Sequence, residues 1–229
     1  VFDLGRFLQS DTCSSSTVNI ARTQQGVFAV QSMWVEPILA LLLGYLLGSV
    51  PFGLVLTRLS GGGDLRQTGS GNIGATNVLR TGNKGLAALT LLLDIGKGYA
   101  AVFIALQISG GLGVLAGLGA FLGHLYPVWL KFNGGKGVAT LLGVVSALVP
   151  TAGLIFAVTW LGSLALWRYS SVGGMLAAIS VPIAVFALGE YAMMPMFIGL
   201  ALLVLWKHRS NIERLIAGEE PKVGAKKRA

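Results

Sequence analysis

The stretch Gly69–Arg80, GSGNIGATNVLR, sets Gly69, Gly71 and Gly74 at G-x-G-x-x-G spacing. Glycine lets main-chain N–H groups approach and converge on one anion. Ser70, Asn72 and Asn77 add side-chain hydrogen bonds, and Arg80 adds a planar guanidinium fork. A dinucleotide-binding reading needs a strand before the loop and a βαβ unit around it. An apolar run long enough to cross a membrane precedes it instead, so no parallel sheet can be built. What survives is a phosphate-cradling loop. The alternative, a plain flexible turn, leaves the density of Asn and Gly unexplained.

A second motif, GGKGVAT at Gly134–Thr140, places Lys136 among Gly134, Gly135 and Gly137, just ahead of an apolar segment that starts near Val138. It lacks P-loop spacing and is no ATP site, but a lysine before a helix N-terminus suits an anion. The alternative is a positive-inside anchor, a role that fits Lys131 better. In a third motif, KHRSNIERLIAGE, His208, Asn211 and Leu215 lie at i, i+3 and i+7 on one helix face. That face can return His208 and Asn211 to the same site. An amphipathic helix lying on the membrane surface explains the pattern equally well.

The elements that must hold these motifs are hydrophobic. The 229 residues are 54% hydrophobic and only 11% charged, with mean hydropathy +0.74, where a soluble domain is nearer a quarter charged. Seven apolar segments occur, roughly 37–59, 86–108, 111–130, 138–149, 151–167, 173–188 and 192–206. The expectation is an all-α polytopic membrane protein with seven transmembrane helices, short outer loops and motif-bearing cytoplasmic loops. Segment 138–149, closed by Pro150, is the weakest, at about half a span. Lys and Arg fall in every second loop and are absent from the alternates. That alternation predicts the C-terminus in the cytoplasm, the N-terminus outside and all three motifs on the cytoplasmic face. The net charge of +8 then reads as topology signal and anion ligand, with no nucleic-acid partner.

Residues 1–32 read as a polar extension expected to be disordered, with 33–219 the membrane domain and 220–229 a basic tail. The N-terminal stretch has no basic n-region followed by an apolar h-region, so it does not read as a signal peptide. The lone cysteine, Cys13, makes no internal disulfide. Asp94 and Lys97, at i and i+3 within a span, are expected to pair or face the bundle. His124 reads as a structural hydrogen-bond partner. Two histidines and one cysteine make no zinc site, no G-x-S-x-G elbow is present, and no cofactor is expected. Glu213, five residues after His208, is a near miss for an H-x-x-x-x-D acyltransferase motif.

The blocks DLRQTGSGNIGATNVLR, GHLYPVWLKFNGGKGVAT and KHRSNIERLIAGE, in this order among seven apolar segments, resemble the bacterial acyl-phosphate:glycerol-3-phosphate acyltransferases, the PlsY family. The resemblance covers about Met33 to Glu219. It implies a seven-helix enzyme of the bacterial inner membrane with its site facing the cytoplasm. It also implies transfer of a fatty acyl chain from acyl phosphate to the sn-1 hydroxyl of glycerol 3-phosphate, giving lysophosphatidic acid and phosphate, a first step of phospholipid biosynthesis. The partners implied are those two substrates, membrane lipid and the soluble enzyme that makes acyl phosphate. By this resemblance the site comprises Ser70, Arg80, Lys136, Ser171, His208 and Asn211. Arg80, Lys136, His208 and Asn211 then read as phosphate and hydroxyl ligands, and Ser70 as part of the acyl-phosphate cradle. Either His208 or a substrate phosphate oxygen serves as base. A small anion transporter or channel with a cytoplasmic phosphate-binding vestibule is the competing class.

Overall fold

The structure is a computed structural model that describes residues 34–224. The expected extension, 1–32, and the last five residues of the expected tail, 220–229, lie outside the described residues. Contacts divide the chain at Leu39/Ala40. Before the division, the described residues contribute only the opening turns of the first helix (34–39). The site lies after it.

Among the described residues the regular elements are all helical. They are α1 (34–48), α2 (Phe52–Leu59), α3 (Ala75–Leu79), α4 (Lys84–Ile108), α5 (Leu112–Leu125), α6 (Val138–Leu148), α7 (Pro150–Trp167), α8 (Ser170–Ala187), α9 (Met194–Lys207) and α10 (Arg209–Ile216). Among the described residues five stretches are long and apolar enough to span a membrane: Trp34–Leu59, Lys84–Ile108, Leu112–Leu130, Pro150–Trp167 and Ser170–Ala187. A sixth joins Tyr191–Lys207 to Arg209–Ile216 across a 55° bend. The remaining apolar segment, 138–149, is helical but falls short of the expected span, because α6 has only 11 residues. At 1.5 Å per residue it covers about 16 Å of a ~30 Å core. The first expected span is likewise broken: Pro51 has no N–H to donate, and the helix stops at Ser49–Val50 before resuming at Phe52.

Small residues carry the helix crossings, as expected where lipid gives helices no hydrophobic reason to associate. A Cβ on Gly44 or Gly48 of α1 would overlap the carbonyls of Ala116 or Ala120, and one on Gly119 or Gly123 of α5 would overlap those of Leu41 or Tyr45. The α4–α6 crossing repeats the device, with Gly98 against Thr140 O and Gly143 against Ile95 O. Phe121, Phe156 and Phe197 fill the interior, while Leu92, Phe103, Leu154, Val158, Ile183 and Leu202 face outward. An exposed apolar belt around an apolar core is the pattern of a protein solvated by lipid.

Candidate active site

Four loops converge. The loop 60–74 is stiffened by a carboxylate: Asp64 accepts from Arg66 N (3.0 Å), Arg66 Nη2 (2.6 Å) and Arg58 Nη2 (3.0 Å). The arginine hydrogen bonds hold the Asp64 carboxyl well below the ordinary range. Gly69 and Gly71 turn the chain with φ of 58° and 68°, a conformation that strains other residues. Asn77, buried in α3, ties the loop together. Its Nδ2 donates to Leu65 O (3.0 Å) and Thr68 O (2.9 Å), and its Oδ1 accepts from Ser70 N (3.1 Å).

The 126–137 loop is fastened to the broken first span. Trp129 Nε1 donates to Ser49 O (2.7 Å), and Tyr45 Oη donates to Tyr126 O (2.8 Å). Its glycine turn lies on the end of α5, where Gly134 N donates to Leu125 O (3.2 Å) and Gly135 N to His124 O (3.0 Å). Those two N–H groups are therefore committed to the fold and do not point at an anion. Glycine is required here by crowding: a Cβ on Gly134 would meet His124 O, and one on Gly137 would meet the Phe121 ring. Gly137, at φ 85°, also precedes α6 as its N-cap. Lys136 N, Gly137 N and Val138 N make no hydrogen bond among the described residues, leaving the α6 N-terminus open to an anion.

The third loop, 168–169 with the start of α8, and the fourth, 217–224 with α10, meet through Glu220. Its Oε1 accepts from Ser171 Oγ (2.7 Å) and Asn211 Nδ2 (2.6 Å), and its Oε2 from Arg214 Nε (2.8 Å). This arrangement orients the Asn211 amide so that its Oδ1 accepts from Lys136 Nζ. Burial alone would raise the Glu220 carboxyl, but hydrogen bonds from Ser171, Asn211 and Arg214 outweigh it and hold it low. Beyond it, Val223 N donates to Arg168 O (2.7 Å). A boundary drawn between 219 and 220 thus runs through a hydrogen-bond network. Thr76 and Ser170 hydroxyls, 2.9 Å apart, join the first loop to the third.

Convergence of these loops at one end requires the chain to go out and come back between each: α4 with α5, α6 with α7, and α8 with α9. Short as it is, α6 acts as an outgoing leg. The loops border an open cleft of about 460 Å³ lined by Arg66, Ser70, Gly71, Asn72, Asn133, Gly134, Gly135, Lys136, Lys207, Arg209 and Ser210. Four cations and no carboxylate face it, a composition suited to a phosphate.

Of the residues singled out in the sequence, Ser70, Gly71, Asn72, Gly134, Gly135 and Lys136 reach this wall. The others stand behind or beside it. Asn77 faces inward as a pin, and Gly74 opens α3 with its N–H on Asn72 Oδ1 (3.2 Å). Asn211 touches Lys136, and Ser171 reaches the site only through Glu220. Arg80 is exposed, its stem crossing Gly69, where a Cβ would lie 3.1 Å from Arg80 Cδ. His208, 3% exposed, sits at the bend, not within α10. Its Nδ1 lies 2.8 Å from Val204 O, so Nδ1 carries the proton and Nε2 keeps its lone pair. Burial, with Lys136 nearby, lowers its pKa to about 4. Burial also brings Lys136 down to about 8, and Arg214 and Arg80 push the same way. Glu220 was missed at the sequence level; its one signal is an acidic Glu219-Glu220 pair opening an otherwise basic tail. Among the described residues no cluster of three or more His, Cys, Asp or Glu side chains could hold a metal.

A family model described as glycerol-3-phosphate acyltransferase matches residues 38–218. The glycerol-3-phosphate acyltransferase of Mesorhizobium japonicum is 61% identical over 189 residues, covering 82% of this chain and 97% of its own. That of Bradyrhizobium sp. (strain ORS 278) is 56% identical, covering 82% and 96%. Two crystal structures of PlsY (YgiH), an integral membrane glycerol 3-phosphate acyltransferase, are also similar. The glycerol 3-phosphate form is 41% identical with TM-score 0.78, covering 82% of this chain and 96% of that one. The lysophosphatidic acid form is 39% identical with TM-score 0.76, covering 82% and 95%.

Proposed function

We propose, from the premise that this chain belongs to the glycerol-3-phosphate acyltransferase family, that it takes its acyl group from acyl phosphate. The acceptor is the sn-1 hydroxyl of glycerol 3-phosphate, and the products are lysophosphatidic acid and inorganic phosphate. The observation that carries this reading is the cationic cavity at the end of an apolar bundle: Lys136, Lys207, Arg209 and Arg66 face it together, and both substrates bring a phosphate. The acyl tail stays among lipid while its head enters the loops. The basic loops put this end in the cytoplasm by the positive-inside rule, at a bacterial inner membrane.

In the reaction the glycerol hydroxyl oxygen bonds to the acyl carbon, the bond from that carbon to the phosphate oxygen breaks, and the hydroxyl proton ends on the departing phosphate. Phosphate is a good leaving group, so positioning and charge stabilisation supply most of the catalysis. Lys136 and the open N–H groups of α6 neutralise the leaving phosphate or the developing oxyanion. Arg80, exposed at the rim, and Ser70 and Asn72 at the wall guide a phosphate head. His208, neutral and with a pKa of about 4, is a weak base. A phosphate oxygen, with a second pKa of about 6, is the stronger one. His208 then accepts a hydrogen bond and orients, and the substrate takes the proton.

A transporter would need polar groups along a path through the bundle. Those at depth, Asp94, Lys97 and His124, are gathered on one another, with Lys97 Nζ donating to Val50 O (2.8 Å). The test is lysophosphatidic acid formation by purified protein with acyl phosphate, acyl-CoA or acyl carrier protein as donor. Turnover with acyl phosphate alone is expected, and equal rates with acyl-CoA would overturn the donor assignment.

A further inference from the structure

Beneath the turn that carries Lys136 lies a polar cluster which the acyl-transfer chemistry above does not use. Asp94 and Lys97 of α4 and His124 of α5 are all buried. Asp94 Oδ1 stands 2.7 Å from Lys97 Nζ and 3.7 Å from His124 Nδ1, yet neither Asp94 Oδ1 nor His124 Nδ1 makes a hydrogen bond of good geometry. Lys97 Nζ donates to Val50 O at 2.8 Å, a carbonyl at the break before Pro51 that also accepts from Phe52 N (3.1 Å). Charges inside a membrane bundle are costly and need a reason to be there. None of the three reaches the cavity wall, so contact with substrate is not that reason.

The far edge of the His124 ring supplies one. A Cβ on Gly135 would overlap His124 Nε2 and lie 2.8 Å from Cε1 and 3.0 Å from Cδ2. The imidazole is thus the floor of the turn, and the Gly134 and Gly135 N–H groups are tied to the carbonyls of the same helix end. Two consecutive glycines are the softest stretch of backbone a chain can have. Without a floor, Lys136 would hang from a hinge. The carboxylate of Asp94 stands on the Nδ1 side of the ring at 3.7 Å, where its charge and bulk restrict how the imidazole can turn. Lys97 holds Asp94 and, through Val50 O, the break in the first span, to which Trp129 of the same loop is also fastened.

We propose that Asp94, Lys97 and His124 form a seat that positions Lys136, so that Asp94 and His124 act on the reaction through the turn at Gly134–Gly135. The proposal rests on the reading of Lys136 as a phosphate ligand. Displacement of a ligand by about 1 Å can cost on the order of 100-fold, and that is the scale expected.

The experiment is a pair of double-mutant cycles on the purified, full-length protein, with kcat and KM measured for both substrates and the thermal midpoint recorded. His124→Ala is expected to lower kcat/KM at least tenfold, chiefly through KM, and Asp94→Asn to do so more weakly. In a Lys136→Ala background, His124→Ala should change kcat/KM less than twofold, because nothing remains to be positioned. Gly135→Ala, which pushes the turn off the ring, should also lose at least tenfold, with no further loss when His124→Ala is added. Multiplicative effects in either cycle would overturn the seat. If His124→Ala does not fold, Gly135→Ala combined with Lys136→Ala decides on the same criterion. A near-wild-type Lys136→Ala would instead sink the ligand reading and the seat with it, an outcome distinct from a defective Lys136→Ala with independent His124 effects.

Discussion

Replacing Lys136 is the sharpest perturbation available. Its ammonium is partly buried, donates to Asn211 Oδ1, and shares the cavity with three other cations. Burial brings its pKa from 10.5 to about 8, so holding the charge there costs roughly 3 kcal/mol at 1.36 kcal/mol per unit. A phosphate that restores the charge recovers part of that. A hydrogen bond to a charged group is worth about 1.5–3 kcal/mol, the same order, and converts to about 10- to 150-fold in kcat/KM. Lys136→Ala should lose that much while inserting and purifying normally. Lys136→Arg should also be impaired, since a broader guanidinium must fit between glycines and against Asn211. The pH profile gives a second handle. The charged form binds the anion and is lost as pH rises through the folded pKa, so wild-type kcat/KM should fall above about pH 8. Lys136→Arg should lack that limb. The assay is lysophosphatidic acid formation by protein in detergent micelles with both substrates varied. Near-wild-type kinetics in Lys136→Ala, or an alkaline limb unchanged in Lys136→Arg, would refute the reasoning.

Three further outcomes are expected. Glu220→Ala leaves Ser171 Oγ and Asn211 Nδ2 without their shared acceptor, a loss of roughly 1–3 kcal/mol for each and several degrees in Tm. Because the folded Glu220 pKa is depressed, its contribution is complete above the unfolded pKa and lost as pH falls through the folded one. Thermal scans from about pH 5 downward should therefore show a steeper fall in wild type than in Glu220→Gln. His208 stays neutral above about pH 4, so an acidic limb near pH 6 in kcat/KM should belong to the substrate phosphate and persist in His208→Gln. A limb near 6.5 abolished by that change would restore His208 as the base. In a Cys13→Ser background, a cysteine at Gly110 should react with an impermeant thiol reagent from outside the cell and one at Asn133 should not; the opposite result would invert the membrane orientation.

The helices were legible because lipid makes the signal blunt: long apolar runs and alternating basic loops need no packing detail to be read. Lengths were less so. Segment 138–149 looks like a weak span, and only the meeting of Lys136 with Asn211 and of Ser171 with Glu220 shows that the chain reverses through it. The break at Pro51 lay hidden inside one apolar run, since hydropathy does not register a missing N–H.

At the site, residue types were legible and their orientations were not. The density of Asn and Gly in 69–77 pointed to a cradle, and Ser70, Gly71 and Asn72 do face the cavity. Asn77 belongs to the same pattern, yet its amide is spent on Leu65, Thr68 and Ser70. Holding a loop shut and binding an anion call for the same donors. The GGKG glycines carry a similar ambiguity. Spacing alone suggests N–H groups bared to a phosphate, but Gly134 and Gly135 are small because His124 and Pro127 press on them, and their N–H groups are consumed by α5. The open N–H groups are those of Lys136, Gly137 and Val138, one step further along. A glycine that admits a ligand and a glycine that admits a neighbouring helix have the same one-letter code. Here it is the helix end that fills the space beneath the turn, with His124 O and the His124 ring where the two Cβ atoms would stand.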